Sequence, residues 1–232
     1  MLGTEYFEQH VLRERRKTMK LSKTSKLDGI LSWSLNALDT CPGSVADGGG
    51  LVPACEGCYA TTGNYVFSNV RAPREHNKED WEREGWVADM VRALEGQKYF
   101  RWFDSGDMYT VPLAFKIYLV MRHTPWVQHW LPTRMYKFKK FLSVLRSMEA
   151  LPNVVVRRSS DAVDGSFTVG LHGSTIIPSK EAAPEGVKVC LAYEHDGKCS
   201  GCRACWSKSV PVIAYVAHGR KMAKVIRLME VV

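Results

Sequence analysis

Hydrophobic and polar positions along this chain follow two different periods in alternation. Between residues 73 and 97, Trp81, Trp86, Val87, Met90, Val91 and Leu94 recur with charges between them, the spacing of an amphipathic helix. Residues 98–104, KYFRWFD, are rich in aromatics and read as a strand. Thr110 then stands where a helix N-cap belongs, and Pro112 falls in the first turn of VPLAFKIYLVMRH. Residues 126–134 read as the next strand. Met135, Phe138, Phe141, Leu142, Leu145 and Met148 make one apolar stripe after it, with Lys137, Lys139, Lys140 and Arg146 opposite. NVVVRRSS, residues 153–160, predicts a third strand, and residues 166–175 a fourth. Residues 29–38 open with a strand ahead of all of these.

Strand–helix–strand at this rhythm predicts βαβ units and a parallel sheet. The repeats are too few for a complete eight-stranded barrel, so the expected fold is α/β, an open or partial barrel over residues 29–180. Residues 1–28 are expected to be a basic N-terminal arm, helical and then loop. Residues 181–232 form a cysteine-rich C-terminal segment packed on the barrel, ending in a short helix or a last strand.

With 232 residues, 45% hydrophobic and 24% charged, the chain has the composition of a globular protein able to bury a sizeable core. It contains no apolar run of the roughly 18 residues a membrane helix needs, and its first residues lack the pattern of a secretory signal. A cytoplasmic location, without membrane contact, is the expectation. The net charge of +8 favours an anionic partner: nucleic acid bound without sequence preference, or an anionic substrate. A basic but merely solvated surface has the same composition.

The cysteines carry the chemistry. Seven occur, at 41, 55, 58, 190, 199, 202 and 205. An odd count in a chain without a secretory signal argues against a disulfide scaffold and for metal ligation. Cys190, Cys199, Cys202 and Cys205 fall within sixteen residues. Three of them share the C-x2-C-x2-C step that bacterial ferredoxins use around a 4Fe–4S cube. Zinc sites prefer two separated C-x2-C pairs, so zinc is the alternative metal. Cys41, Cys55 and Cys58 supply three thiolates. A cube so held has one open iron, unless a fourth ligand such as Cys190 closes the site. Three and four together use all seven cysteines, which favours two clusters over one.

The segments TCPGS (40–44), CEGCYATTGNY (55–65), FRWFDSGDMY (100–109), WLPTR (130–134), CSGCRACW (199–206) and AYVAHG (214–219) resemble, in this order, the phage "gene product 88" family. The C-x-x-C-Tyr-Ala portion also resembles a second phage family related to radical S-adenosylmethionine (SAM) enzymes. That resemblance implies a partial α/β barrel with its three-cysteine loop after the first strand. Its usual motif is C-x3-C-x2-C with an aromatic just before the last cysteine; here the first gap is thirteen residues and Tyr59 follows Cys58. It also implies that Ser105, Gly106 and Asp107, at a strand's carboxyl end, contact the SAM amino group. An Asp-capped turn into the Thr110 helix is the structural alternative. Arg134, at another strand end, can meet a carboxylate or phosphate or form a surface ion pair. Arg157–Asp161 carry the same ambiguity, and His172 and His218 read as structural.

The expected function is that of an iron–sulfur oxidoreductase or radical enzyme of unknown substrate. The alternative is a non-enzymatic cluster or zinc protein that binds nucleic acid through its basic arm and Lys137, Lys139 and Lys140. A simple electron carrier is disfavoured, since the chain far exceeds what a cluster needs.

Overall fold

The computed structural model describes residues 19–229; of the basic arm expected over residues 1–28, helical and then loop, residues 1–18 lie outside them. Eight strands form one sheet: β1 (Ser22–Lys23), β2 (Leu31–Trp33), β3 (Tyr99–Trp102), β4 (Gln128–Thr133), β5 (Val154–Ser159), β6 (Gly173–Ile177), β7 (Lys188–Val189) and β8 (Val212–Val216). Their spatial order is β1-β2-β3-β4-β5-β6-β8-β7. Only β1 is antiparallel to its neighbour; all other pairings are parallel. The helices are α1 (Pro53–Glu56), α2 (Ser68–Asp80), α3 (Trp86–Ala93), α4 (Val111–His123), α5 (Leu142–Glu149) and α6 (Arg220–Met229).

Strand alternation decides which face meets which layer. Trp33, Phe100, Trp102, Leu131, Val154 and Val156 share one core with Trp86 and Met90 of α3, Leu113 and Ile117 of α4, and Leu145 and Met148 of α5. Three tryptophans centre it, Trp33 meeting Trp86 and Trp102 edge-on at 5.4 and 6.1 Å. The alternate residues Arg101, Trp130, Pro132, Ser159, Thr175 and Tyr215 face away from the helices and line one cavity. Residues of β3 and β8 line the same space, so the sheet curls.

Strand pairing does not close the curl; the cysteine-rich segment between β7 and β8 crosses the gap. Cys199 N donates to Lys26 O at 2.8 Å, and Asp28 Oδ2 accepts from Gly201 N at 2.9 Å and Arg203 Nη1 at 2.8 Å. Trp206 enters the curl, packs edge-on against Trp130 at 5.1 Å and Tyr99 at 5.7 Å, and donates from Nε1 to Phe100 O at 2.8 Å. Arg157 of β5, wholly buried, fixes this segment. Its guanidinium donates to the carbonyls of Gly173, Ala204, Cys205, Ser207, Val210 and Pro211 at 2.9 to 3.3 Å.

Three elements differ from the sequence pattern. Residues 73–97 form two helices, α2 and α3, broken at residues 81–85. The stripe from Met135 to Met148 becomes helical only at Leu142. Before it come two 3-10 turns separated by an extended Phe138, because Lys137 is drawn away to Asp161 at 2.7 Å. The strand expected at residues 166–175 starts at Gly173, where pairing with β8 begins. Residues 19–28 are part of the fold: Met19 and Leu21 pack on the core, and Ser22–Lys23 is a strand.

Arg157→Leu strips the donors from several buried carbonyls at once, each costing about 1–3 kcal/mol. Urea unfolding is expected to show a loss of at least about 3 kcal/mol. A loss below about 1 kcal/mol would mean that Arg157 does not anchor the segment.

Candidate functional site

The chain leaving β2 folds back over the carboxyl ends of the neighbouring strands. A 3-10 turn (Pro42–Ser44) follows Cys41, a bridge joins Val45 to Leu51, and α1 begins at Pro53. Ala54 N donates to Asp161 O at 2.9 Å, beyond β5. Gly43 lies so close to Arg134 that an added Cβ would stand 2.5 Å from Arg134 Cβ. Residue 43 must therefore be glycine for the loop to seat. On the outer side Met222 and Val225 of α6 pack against Ala54 and Val163.

The turn after β3 locks onto this loop. Asp104 pairs with Arg74 of α2, Nη2 to Oδ2 at 3.2 Å, with both side chains buried, and accepts a hydrogen bond from the Ser34 hydroxyl. Arg74 Nε donates to Ser105 Oγ at 2.7 Å, and that hydroxyl donates to Leu35 O at 2.6 Å. Tyr59 OH, next to Cys58, donates to Asp104 O at 2.6 Å. Gly106 has φ +79°, and an added Cβ would lie 2.6 Å from Leu35 Cβ. Asp107 Oδ1 accepts from Thr133 Oγ1 and Met108 N, both at 2.8 Å, and Oδ2 from Arg134 N at 2.9 Å. Ser105 and Asp107 thus hold the strand ends and the cysteine loop together. Leu38 and Phe103, on either side of the junction, have left-handed φ of 65° and 55°, a cost found where surroundings over-determine the backbone.

Beneath the loop lies the cavity, of about 460 Å³. Cys41, Cys55 and Cys58 line it from the loop; Cys190, Cys199 and Cys205 line it from the segment that crosses the gap. The two sequence clusters therefore face one space. Cys202 is exposed and is not among the lining residues. All seven thiols are free. Burial pushes Cys41 up to about 12, with Asp107 adding to the rise, and pushes Cys199 up to about 11, with Cys205 and Cys190 adding. Cys55 and Cys205 are raised by burial too. Such thiols are neutral and inert unless a cation deprotonates them. Among the described residues, no three His, Cys, Asp or Glu side chains stand at the mutual spacing of metal ligands.

A family model described as Gene product 88 matches residues 9–224. The chain belongs to the Gene product 88 family. No curated protein and no solved structure matches it. The matched span of this family covers both cysteine groups and every residue placed at the cavity above. Among the described residues no helix is long and apolar enough to cross a membrane.

Arg134 also lines the cavity, but it is tied to Asp161 at 3.1 Å and to Ser160 O at 2.6 Å, while Lys137 takes the other Asp161 oxygen. His172 bonds Lys208 O at 2.8 Å on the surface, and His218 stacks on Tyr59 with ring centroids 6.2 Å apart. Sequence reasoning missed Arg74, Arg101, Trp130 and Tyr215. For Arg101 a signal existed: in FRWFD it alternates with Phe100 and Trp102, so it had to face away from the core those two build.

Burial raises the Asp107 carboxyl from its ordinary value of 3.8 to about 6, against the pull of the bonds from Arg134, Thr133 and Met108. The folded state then binds more protons than the unfolded state between those values, so this group's contribution to stability falls as pH rises through that window. Wild type is expected to lose stability relative to Asp107→Asn from about pH 4 to about pH 6, and no further above it. Parallel denaturant curves for the two proteins across that range would show Asp107 to titrate normally.

Proposed function

We propose that this chain is an iron–sulfur protein built on a partial α/β barrel of the radical-SAM type, with the cysteine-lined cavity as its working site. One observation carries the reading: six of the seven cysteines, from two distant parts of the sequence, line a single cavity. As ligands they are a soft donor set that suits iron–sulfur clusters or zinc and does not suit magnesium or calcium. The donor chemistry fits, and support comes from that chemistry and the shared cavity, not from a preformed coordination geometry.

Cys41, Cys55 and Cys58 would hold one cluster, and Cys190, Cys199 and Cys205 the other, with Cys202 outside the cavity. A cluster so held supplies one-electron chemistry, and one with an open iron also takes a ligand such as SAM. The chain's own residues have definite work. Arg74, Asp104, Ser105 and Asp107 fix the loop bearing the first three cysteines, and Arg157 fixes the segment bearing the others. The packed aromatic floor of Trp130 and Trp206 keeps bulk water from entering through the base of the curl. The radical-SAM comparison is supported by the order of parts. The parallel strands β2 to β6 are neighbours in chain order, the three-cysteine loop follows the first of them, and the glycine-containing acidic turn follows the second.

A second reading, a zinc or cluster protein that binds nucleic acid without catalysis, is favoured by α6. Its apolar side packs beside the cysteine loop, while Arg220, Lys221, Lys224 and Arg227 are exposed.

Anaerobic purification with iron, sulfide and zinc quantified tests the iron–sulfur reading against a zinc protein, and the response to SAM tests it against a cluster protein without catalysis. The iron–sulfur reading expects brown protein with broad absorption near about 400 nm and stoichiometric iron and sulfide. Cys55→Ser and Cys205→Ser should lose iron, whereas Cys202→Ser should retain it. Addition of SAM to reduced protein should alter the electron paramagnetic resonance signal. Colourless protein with stoichiometric zinc would overturn the reading in favour of the second.

A further inference from the structure

Arg101 is the one arginine of the cavity with no anionic partner among the described residues. Arg134 pairs with Asp161. Behind the lining, Arg74 pairs with Asp104, Arg158 with Glu149, and Arg157 with six carbonyls. Arg101 lines the cavity, makes no ion pair within 4.0 Å, and has its Nε buried without a hydrogen-bond acceptor. The acid whose charge acts on it, Asp104, is committed to Arg74 and Ser34. An N–H buried there without an acceptor costs free energy, since the desolvation of that donor is not repaid.

The charge is nonetheless held in place and kept. The guanidinium lies over the Trp130 ring, 4.5 Å from its centroid, which fixes its plane. Tyr59, Asp104, Tyr65 and Tyr215 favour the charged form against burial. Trp130 itself lines the cavity, and its Nε1–H is likewise buried without an acceptor. Both groups are donors only. Two stacked donor groups, each with a buried N–H left over, on one wall of a cavity large enough for a small molecule call for an acceptor that brings negative charge.

We infer that Arg101 and Trp130 form a receptor for the anionic group, a carboxylate or a phosphate, of a small ligand that enters the cavity. The guanidinium supplies the charge and a planar pair of donors, which suits either oxyanion. The indole N–H supplies a further donor and selects against ligands whose oxygens cannot reach it. This receptor needs no metal, so it stands or falls apart from the iron–sulfur reading.

Isothermal titration of the purified full chain with inorganic phosphate and, separately, with succinate tests it. One-site saturable binding of at least one probe is expected, and the preferred probe distinguishes a phosphoryl from a carboxylate ligand. Arg101→Gln should weaken that binding at least about tenfold, and Arg101→Lys less, because it keeps the charge but loses the fork. Trp130→Phe keeps the stacked ring and removes the donor, so it should weaken binding severalfold; exposed Lys98→Gln should change nothing. If neither probe binds saturably, or if Arg101→Gln and Trp130→Phe bind as wild type does, the inference is overturned. Should Arg101→Gln fail to fold, Trp130→Phe decides. Iron-free protein that binds the probe leaves this inference standing while the cluster reading falls. Iron-loaded protein that does not bind it overturns this inference and leaves the cluster reading standing.

Discussion

A guanidinium buried without any carboxylate is expensive unless dense acceptors replace its water, and Arg157 is satisfied only by the backbone that wraps it. Five of its six carbonyl partners come from residues 204–211, so the chain around Cys205 has to assume one path for the charge to be tolerated at all. That path carries Trp206 into the curl and Cys205 onto the wall of the cavity, which Cys190, held by Ala214 O, and Cys199, held by Lys26 O, also line together with Cys41, Cys55 and Cys58. Burial lowers the Arg157 pKa from its ordinary value, the sign expected when carbonyl dipoles replace water and no anion is present. The sheet, which strand pairing leaves open, gains its missing wall from this segment.

A second cationic anchor does the same at the mouth. Arg74 reaches Asp104 and Ser105 from α2, and Asp107 gathers donors from β4. Close glycine contacts at Gly43 and Gly106 let the cysteine loop settle on the strand ends. Two polar clamps therefore present two sets of thiols to one space, and the apolar core behind the sheet keeps both clamps rigid. Arg101, between them, is cationic and lacks an anion; it is the part of the site that points to a ligand rather than to the fold.

Much of this was legible in the sequence, and the parts that were not have physical reasons. The strands at Tyr99, Gln128 and Val154 and the Thr110 cap follow from period and capping, which are local. Thr110 Oγ1 accepts from Leu113 N as an N-cap should. The helical stripe from Met135 failed because Lys137 answers to Asp161, which lies 24 residues on. Ser105 and Asp107, read as ligand contacts on resemblance, line the cavity, and their oxygens also bond Arg74, Leu35, Thr133 and Arg134. No local pattern reports such partners. The cysteine spacing identified both groups but could not say that they share a cavity. That follows from Arg157 and from the Asp28 bridge, both of which join distant parts of the chain.

Whether the two cysteine groups face one metal-bearing space is tested most directly by anomalous diffraction at the iron edge from anaerobically grown crystals. Iron peaks are expected inside the cavity, bounded by Cys41, Cys55 and Cys58 on one side and by Cys190, Cys199 and Cys205 on the other. Iron bound only outside that space, or peaks ligated by Cys202 with the six cavity thiols left free, would contradict a shared metal-bearing cavity.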